Sequence, residues 1–451
     1  MAPAQLTHRD LRVENRLLGQ SRSDGWTANR RRRRLGLDGS QPQEDNCGMS
    51  RDASETLPPP RLGDRAWFPH LDAVAYCNHA AISPVSTAVF RAVSCLLDDY
   101  SRKGTGAYLT WHRQRLSLKR QLGQLINAQA DDIALISNTT RGVTDVALCL
   151  PWNRGDHVVV FQGEFPGNVT PWQRAAELHG LELSFLPATD FELDPEAALN
   201  RLERVLARGV RLLAVSSVQF QTGLRMPMER IGELCRAHTA ELFVDAIQGC
   251  GAVPIDVAKW QADYLTCGSH KWLMGTEGAG FLYVNAARAA ALRPHVAGWL
   301  SHENAESFLF EGPGHLRYDR PLRAGPAIFE GGTTNAAGFA ALGASVSALL
   351  ELGVARIHAH VNHYLDTLET ELVERGFRSL RAPEKDRRSC ILAVMPPRNV
   401  SVVALRAQLL GRGVVCAVPD GNLRFAPHWP NSLDEIPRLL RAVDDSLVAL
   451  R

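Results

Sequence analysis

Lys271 and Asp245 are the residues whose setting in this chain demands chemistry. Lys271 stands in Cys267-Gly268-Ser269-His270-Lys271-Trp272, directly after an apolar run. Asp245 closes another such run, Leu242-Phe243-Val244-Asp245. Burying either charge alone is costly, so each needs a partner. Pyridoxal 5′-phosphate meets both needs. Its aldehyde forms a Schiff base with a lysine, and its protonated ring nitrogen takes a carboxylate.

The elements that must position this pair follow from periodicity. Short apolar runs recur at Ile133–Ser137, His157–Phe161, Leu181–Leu186, Arg211–Ser217, Glu241–Asp245, Asp263–Cys267 and Gly280–Val284. Helical patterns lie between most of them, including Thr170–Leu178, Pro195–Leu206 and Met228–His238. Strands alternating with helices make an α/β fold with a mainly parallel sheet, here of seven strands. Nearly continuous apolar character is what strands covered on both faces require. The loop between the last two runs is too short for a helical crossover, so one antiparallel strand is expected there. The strand count places Lys271 at a sheet edge beside Asp245. Residues 298–332 read as loop, and long helices follow at Ala336–Leu352 and Val354–Arg375. Strands near Cys390–Val394, Gly413–Ala417 and Asn422–Phe425 close a smaller C-terminal α/β unit. The division expected is a disordered tail at 1–65, a large domain at 66–334 and a small domain at 335–451.

Composition limits the partners. The 451 residues are 45% hydrophobic and 22% charged, with a formal net charge of +2. That balance argues against a polyanionic partner such as nucleic acid. The one basic run, Arg30 to Arg34, reads as part of the solvated tail. No apolar run reaches the roughly 18 residues that span a bilayer, so no membrane partner is expected. The 9 cysteines form no CxxC pair, no metal site is expected, and a reducing cytoplasm fits best. Met49 opens a more ordinary sequence and is the expected natural start.

Phe243-Val244-Asp245-Ala246-Ile247-Gln248 followed by Ser269-His270-Lys271-Trp272-Leu273-Met274-Gly275 resembles the fold-type I pyridoxal-phosphate enzymes. It is most similar to the class V aminotransferase superfamily, which includes cysteine desulfurases, isopenicillin N epimerase-like proteins and kynureninase. The resemblance covers about residues 74–450. It implies that Lys271 is the catalytic Schiff-base lysine and Asp245 the partner of the ring nitrogen. Gln248 then falls where relatives touch the phenolic oxygen of the cofactor. Thr139 and Thr140, at a strand-to-helix turn, would cradle the phosphate with backbone N–H groups and hydroxyls. His270 and Ser269 lie where relatives make further phosphate contacts. Phe165 would stack on the ring, with Asn168 facing the same side. Gly332 and Thr333, in Phe329-Glu330-Gly331-Gly332-Thr333-Thr334-Asn335, match a segment that reaches the phosphate of the neighbouring subunit. That implies a homodimer with shared sites. Arg424, in Asn422-Leu423-Arg424-Phe425, would clamp a substrate α-carboxylate. Asn78 and His79 match the substrate mouth.

One reaction is disfavoured. Desulfurases carry a nucleophilic cysteine on a mobile loop shortly before this arginine. Here only a short turn separates Cys416 from Arg424, and Cys416 reads as a buried strand residue. Phe165 and Phe220 also replace residues usual in desulfurases. The expected function is a lyase acting at Cα of an amino acid, by β-elimination or C–S cleavage without a desulfurase cysteine. Transamination, epimerisation and kynureninase-like hydrolysis are the enzymatic alternatives, and a cofactor-binding regulatory subunit is the non-enzymatic one.

Overall fold

The computed structural model describes residues 57–450. The expectations for the arginine run, for Met49 and for most of the tail lie outside these residues.

Twelve strands make three sheets among the described residues. In chain order they are β1 Ala75–Tyr76, β2 Ile133–Ile136, β3 His157–Gln162, β4 Glu182–Pro187, β5 Val210–Ser216, β6 Glu241–Asp245, β7 Tyr264–Gly268, β8 Gly280–Val284, β9 Arg378–Ser379, β10 Leu392–Met395, β11 Val414–Val415 and β12 Leu423–Phe425. The central sheet has seven strands in the order β2-β8-β7-β6-β5-β3-β4. β8 runs antiparallel to both β2 and β7, and the other pairs are parallel. β6 and β7 are interior strands. Lys271 therefore follows a central strand rather than a sheet edge. Sequence alone orders strands along the chain but not across a sheet.

Successive side chains of one strand enter opposite cores, as the pleat demands. Val158 and Val160 of β3 pack on one side of the sheet, with Leu212, Phe243 and Tyr264. Val159 and Phe161 pack on the other, with Leu213, Val244 and Leu265. Four helices precede or flank the site: α1 Thr87–Lys103, α2 Tyr108–Ile126, α3 Thr139–Cys149 and α4 Thr170–His179. α3 packs closely on β7. A Cβ on Gly142 would lie 2.2 Å from Thr266 Oγ1, so only glycine allows this approach.

β12, β10 and β9 form a small antiparallel sheet in that order. β1 pairs in parallel with β11, and Asn78 bridges Ala426. This pairing draws the Asn78–Ala81 segment alongside the strand that carries Arg424. Residues 57–65, expected in the tail, instead lie against the core. Leu57 and Leu62 pack on it, Gly63 N–H donates to Trp429 O at 2.7 Å, and Pro58 O accepts from Trp67 Nε1. Two leucines among the prolines give this stretch enough apolar area to hold it down. No single helix among the described residues is long and apolar enough to cross a membrane. Ala336–Leu352 and Val354–Glu374 pass that test only as a pair bent by 78°.

Candidate active site

The carboxyl ends of β2, β3, β5, β6 and β7 lead directly into the segments singled out by sequence. In open α/β sheets this is the edge at which ligands bind. Ser216, the last residue of β5, stands opposite Asp245 of β6, and Asp245 stands opposite Thr266 of β7.

The backbone that carries Lys271 is held from several sides. Lys271 O accepts hydrogen bonds from Ser83 Oγ at 2.6 Å and from Met274 N–H at 2.9 Å. Trp272 is wholly buried; its Nε1 donates to Gln248 Oε1 at 2.9 Å, and its carbonyl is 2.9 Å from His428 Nε2. Trp429 N–H donates to His428 Nδ1, so the proton on that neutral ring sits on Nε2 and points at Trp272 O. Behind Ser83 lies His79, whose Nδ1 is 2.8 Å from Ser83 Oγ. The Ser83 proton is committed to Lys271 O, so His79 Nδ1 is the donor. Burial pushes the His79 pKa well below its usual value, and the ring is neutral. The expected place for His79 was the substrate mouth; its ring instead braces the lysine from behind.

Lys271 Nζ lies 5.4 Å from the centre of the Phe165 ring. Phe165 is 47% exposed and meets Phe220 edge-on at 5.5 Å. Burial lowers the Lys271 pKa to about 8, with Asp245 opposing and Arg424 adding to the fall. Asp245 is 2% exposed. Its Oδ1 accepts from Ile247 N–H at 2.9 Å. Burial raises its pKa to about 7, the Ile247 bond and Lys271 oppose this, and Glu164 adds to the rise. Arg424 is 4% exposed, its Nη1 donates to Phe220 O at 2.6 Å, and its Nε is buried with no partner. Burial lowers its pKa to about 10, which leaves it charged at neutral pH. Asn78 Oδ1 is a second buried orphan.

At the start of α3, Asn138 Oδ1 caps Arg141 N–H at 2.9 Å. The N–H groups of Thr139 and Thr140, at the first two helical positions, have no carbonyl within the helix. The Thr139 hydroxyl accepts Gly268 N–H at 2.9 Å, which ties the start of α3 to β7. His270 is half-buried, and burial followed by the Lys271 charge lowers its pKa.

Several expected contacts are taken by other partners. Ser269 is wholly buried and its hydroxyl donates to Thr276 O, so its side chain is not free to meet a phosphate. Asn168 is also wholly buried. Its Nδ2 donates to Glu164 at 3.3 Å and its Oδ1 accepts from Trp172 Nε1, so it supports the loop rather than facing a ligand. Gln248 gives one amide hydrogen to Ala80 O at 3.2 Å and keeps one free. Gly332 and Thr333 line a cavity of about 370 Å³ with Ser137 and Arg141, on the β2 side of the sheet.

Sequence reading passed over Glu164. It is buried directly after β3 and accepts hydrogen bonds from Ser216, Gln219 and Asn168. The signal was present: a carboxylate at the end of an apolar run, the same argument that drew attention to Asp245.

A buried carboxylate facing a lysine, an unclaimed guanidinium nitrogen and an open helix N-terminus fit pyridoxal phosphate bearing an amino-acid substrate. In the cofactor-free protein, Asp245→Asn is expected to raise the melting temperature by a margin that grows from about pH 4 to pH 7. Folded Asp245 keeps its proton up to about pH 7, whereas an unfolded aspartate loses it near 4. Wild-type stability therefore falls through that window, and asparagine has no proton to lose. Melting curves across this range check the margin, and a flat one contradicts the proton placement.

The family model for class-V aminotransferases matches residues 75–416. An uncharacterized aminotransferase, YcbU of Bacillus subtilis, is 28% identical over 376 residues, covering 82% of this chain and 94% of that protein. A probable cysteine desulfurase of Pyrococcus abyssi is 28% identical, covering 85% and 97%. Isopenicillin N epimerase of Streptomyces clavuligerus is 27% identical, covering 72% and 83%. The cystine C-S lyase C-DES, solved with its product cysteine persulfide, superposes with a TM-score of 0.75 at 21% identity, over 84% of this chain and 99% of that one.

Proposed function

The chain belongs to the class-V aminotransferases and is a pyridoxal-phosphate-dependent enzyme; from that premise we propose that it is a lyase, releasing a leaving group from Cβ of an amino acid without a cysteine nucleophile of its own. When bound, the cofactor withdraws electrons from Cα and so weakens the bonds there. Lys271 takes the Cα proton. Its lowered proton affinity makes the neutral amine available close to neutral pH, where a general base works best. Arg424 offers its Nε edge to the α-carboxylate and so fixes which Cα bond faces the lysine. Phe165, exposed beside Lys271, would lie against the cofactor ring. Thr139, Thr140 and His270 hold the phosphate, and Asp245 the ring nitrogen.

Cys416 carries the choice of reaction. It is 1% exposed, and burial pushes its thiol up to about 12. A thiol that neither ionises nor meets solvent is a poor nucleophile. Several relatives are named cysteine desulfurases, and this reading departs from that name on the Cys416 environment. Incubating the cofactor-loaded protein with S-substituted cysteines is expected to release pyruvate and ammonia. Cys416→Ala is expected to leave that rate within about twofold, as for a packing residue remote from the chemistry. If no pyruvate forms while racemisation or transamination proceeds, the lyase reading falls. If elimination collapses in Cys416→Ala, the cysteine-free mechanism falls.

The working unit in this reading is a homodimer. Phe90, Leu97 and Leu109 are exposed apolar side chains of α1 and α2, and exposed apolar groups of this size support an association surface. Gly332 and Thr333 then serve the site of the neighbouring subunit. The chain divides near residue 334 into a cofactor-binding unit and a smaller unit that brings Arg424. Among the described residues seven cysteines are buried free thiols, which supports a reducing, cytoplasmic setting.

A further inference from the structure

Glu164 is a buried carboxylate with neutral partners only. Its Oε1 accepts from Ser216 N–H at 2.7 Å and from Gln219 Nε2 at 3.2 Å. Its Oε2 accepts from the Ser216 hydroxyl and from Asn168 Nδ2 at 3.3 Å. Four donors converge on two oxygens and favour the ionised form, against the burial that raises the pKa of this carboxyl. Among the described residues no cation is paired with it, although an unpaired buried charge is costly. Its sheet position supplies the reason. β3, β5 and β6 are successive neighbours, and Ser216 at the end of β5 stands opposite Asp245 at the end of β6. Glu164, bonded to the backbone of Ser216, is thus the next carboxylate along the sheet edge from Asp245, and its field reaches Asp245.

We propose that Glu164 is a positioning residue for the cofactor: a second buried anion that, with Asp245, holds the proton on the ring nitrogen. The inference rests on the placement of that nitrogen at Asp245. The charges on this side of the site support it. The groups facing Asp245 are Glu164, Lys271 and the Cys267 thiol, which contacts Cys250, with Arg424 beyond the lysine. A bound amino acid satisfies Arg424 through its carboxylate. Lys271 is neutral whenever it acts as a base. Two carboxylates then share one cation, the protonated ring. The same hydrogen bonds tie Asn168 and the segment before Phe165 to the end of β5, so the charge and the stacking ring are set by one side chain.

The test is a titration of the ring nitrogen, read by nitrogen-15 NMR on holoenzyme reconstituted with ring-labelled pyridoxal phosphate. Glu164→Gln keeps the shape and removes the charge. Its nitrogen is expected to lose its proton about 1 to 2 pH units below wild type, the usual effect of one nearby charge. Glu164→Asp is expected to restore part of that shift. If Glu164→Gln binds the cofactor and titrates as wild type does, Glu164 only holds the loop and the proposal is overturned. Should Glu164→Gln fail to fold, Ser216→Ala removes one donor and weakens the ionised form. A smaller shift in the same direction is then expected, and no shift overturns the proposal. Wild-type protein that binds no pyridoxal phosphate would overturn it together with the assignment of Asp245. A loaded protein that releases no pyruvate would remove the lyase reading while leaving the ring-nitrogen result intact.

Discussion

Lys271→Ala is expected to lower turnover about a thousand-fold, the scale of losing a positioned general base. Neither basic neighbour replaces it: Arg424 stays charged, with a pKa of about 10, and burial lowers the pKa of His270. The variant is expected to fold normally. The carbonyl of residue 271 is held by Ser83, and Trp272 by Gln248 and His428, so none of these bonds uses the lysine side chain. Removing a partly desolvated amine also relieves a cost rather than opening a hole, because Phe165 beside it is half exposed. Turnover, melting temperature and the cofactor retained after gel filtration distinguish lost chemistry from lost structure. A Lys271→Ala enzyme working within tenfold of wild type would take the lysine out of the reaction.

Arg424→Ala is expected to lower kcat/KM by two to three orders of magnitude. Truncating one partner of a buried, hydrogen-bonded charge pair costs about 2–5 kcal/mol, and each 1.36 kcal/mol is tenfold. The guanidinium is anchored by Phe220 O and keeps Nε without a partner, so a carboxylate completes it. Arg424→Lys is expected to recover little, because an ammonium offers no planar two-point edge. An amine substrate lacking the α-carboxylate gives the internal control. It is expected to react slowly with wild type and to lose little more in Arg424→Ala. Equal losses for both substrates would mean that Arg424 holds the strand and not the ligand. Neighbouring Leu423 and Phe425 are wholly buried, so melting curves must accompany the kinetics.

Local patterns made much of this molecule readable in advance. β6 and β8 begin and end where the apolar runs do, and so does Ala336–Leu352. The antiparallel strand was readable because a short loop cannot carry a crossover. Lys271 and Asp245 were readable as charges at the ends of apolar runs, where solvation gives no other reason for them, and Arg424 was readable only through the family resemblance of its segment. Glu164 obeys the same rule as Asp245 two residues after β3, beside the aromatic Phe165, which carries the stronger family signal.

Hydrogen-bond partners were not readable. Ser269 and Asn168 have suitable chemical types, but the fold gives their polar atoms to Thr276 and to Glu164 and Trp172. His79 is near the lysine, yet a serine stands between them and turns the imidazole into a brace. By itself the sequence determined which segments become strands and helices and which residues carry charge into the interior, because both depend on spacing along the chain. Only the tertiary structure decided that β6 and β7 are central, that Glu164 and Asp245 lie at the ends of strands separated only by β5, and which side chains remain unclaimed. Those outcomes depend on strand order and on the capacity of each buried donor and acceptor, which contacts between distant segments set.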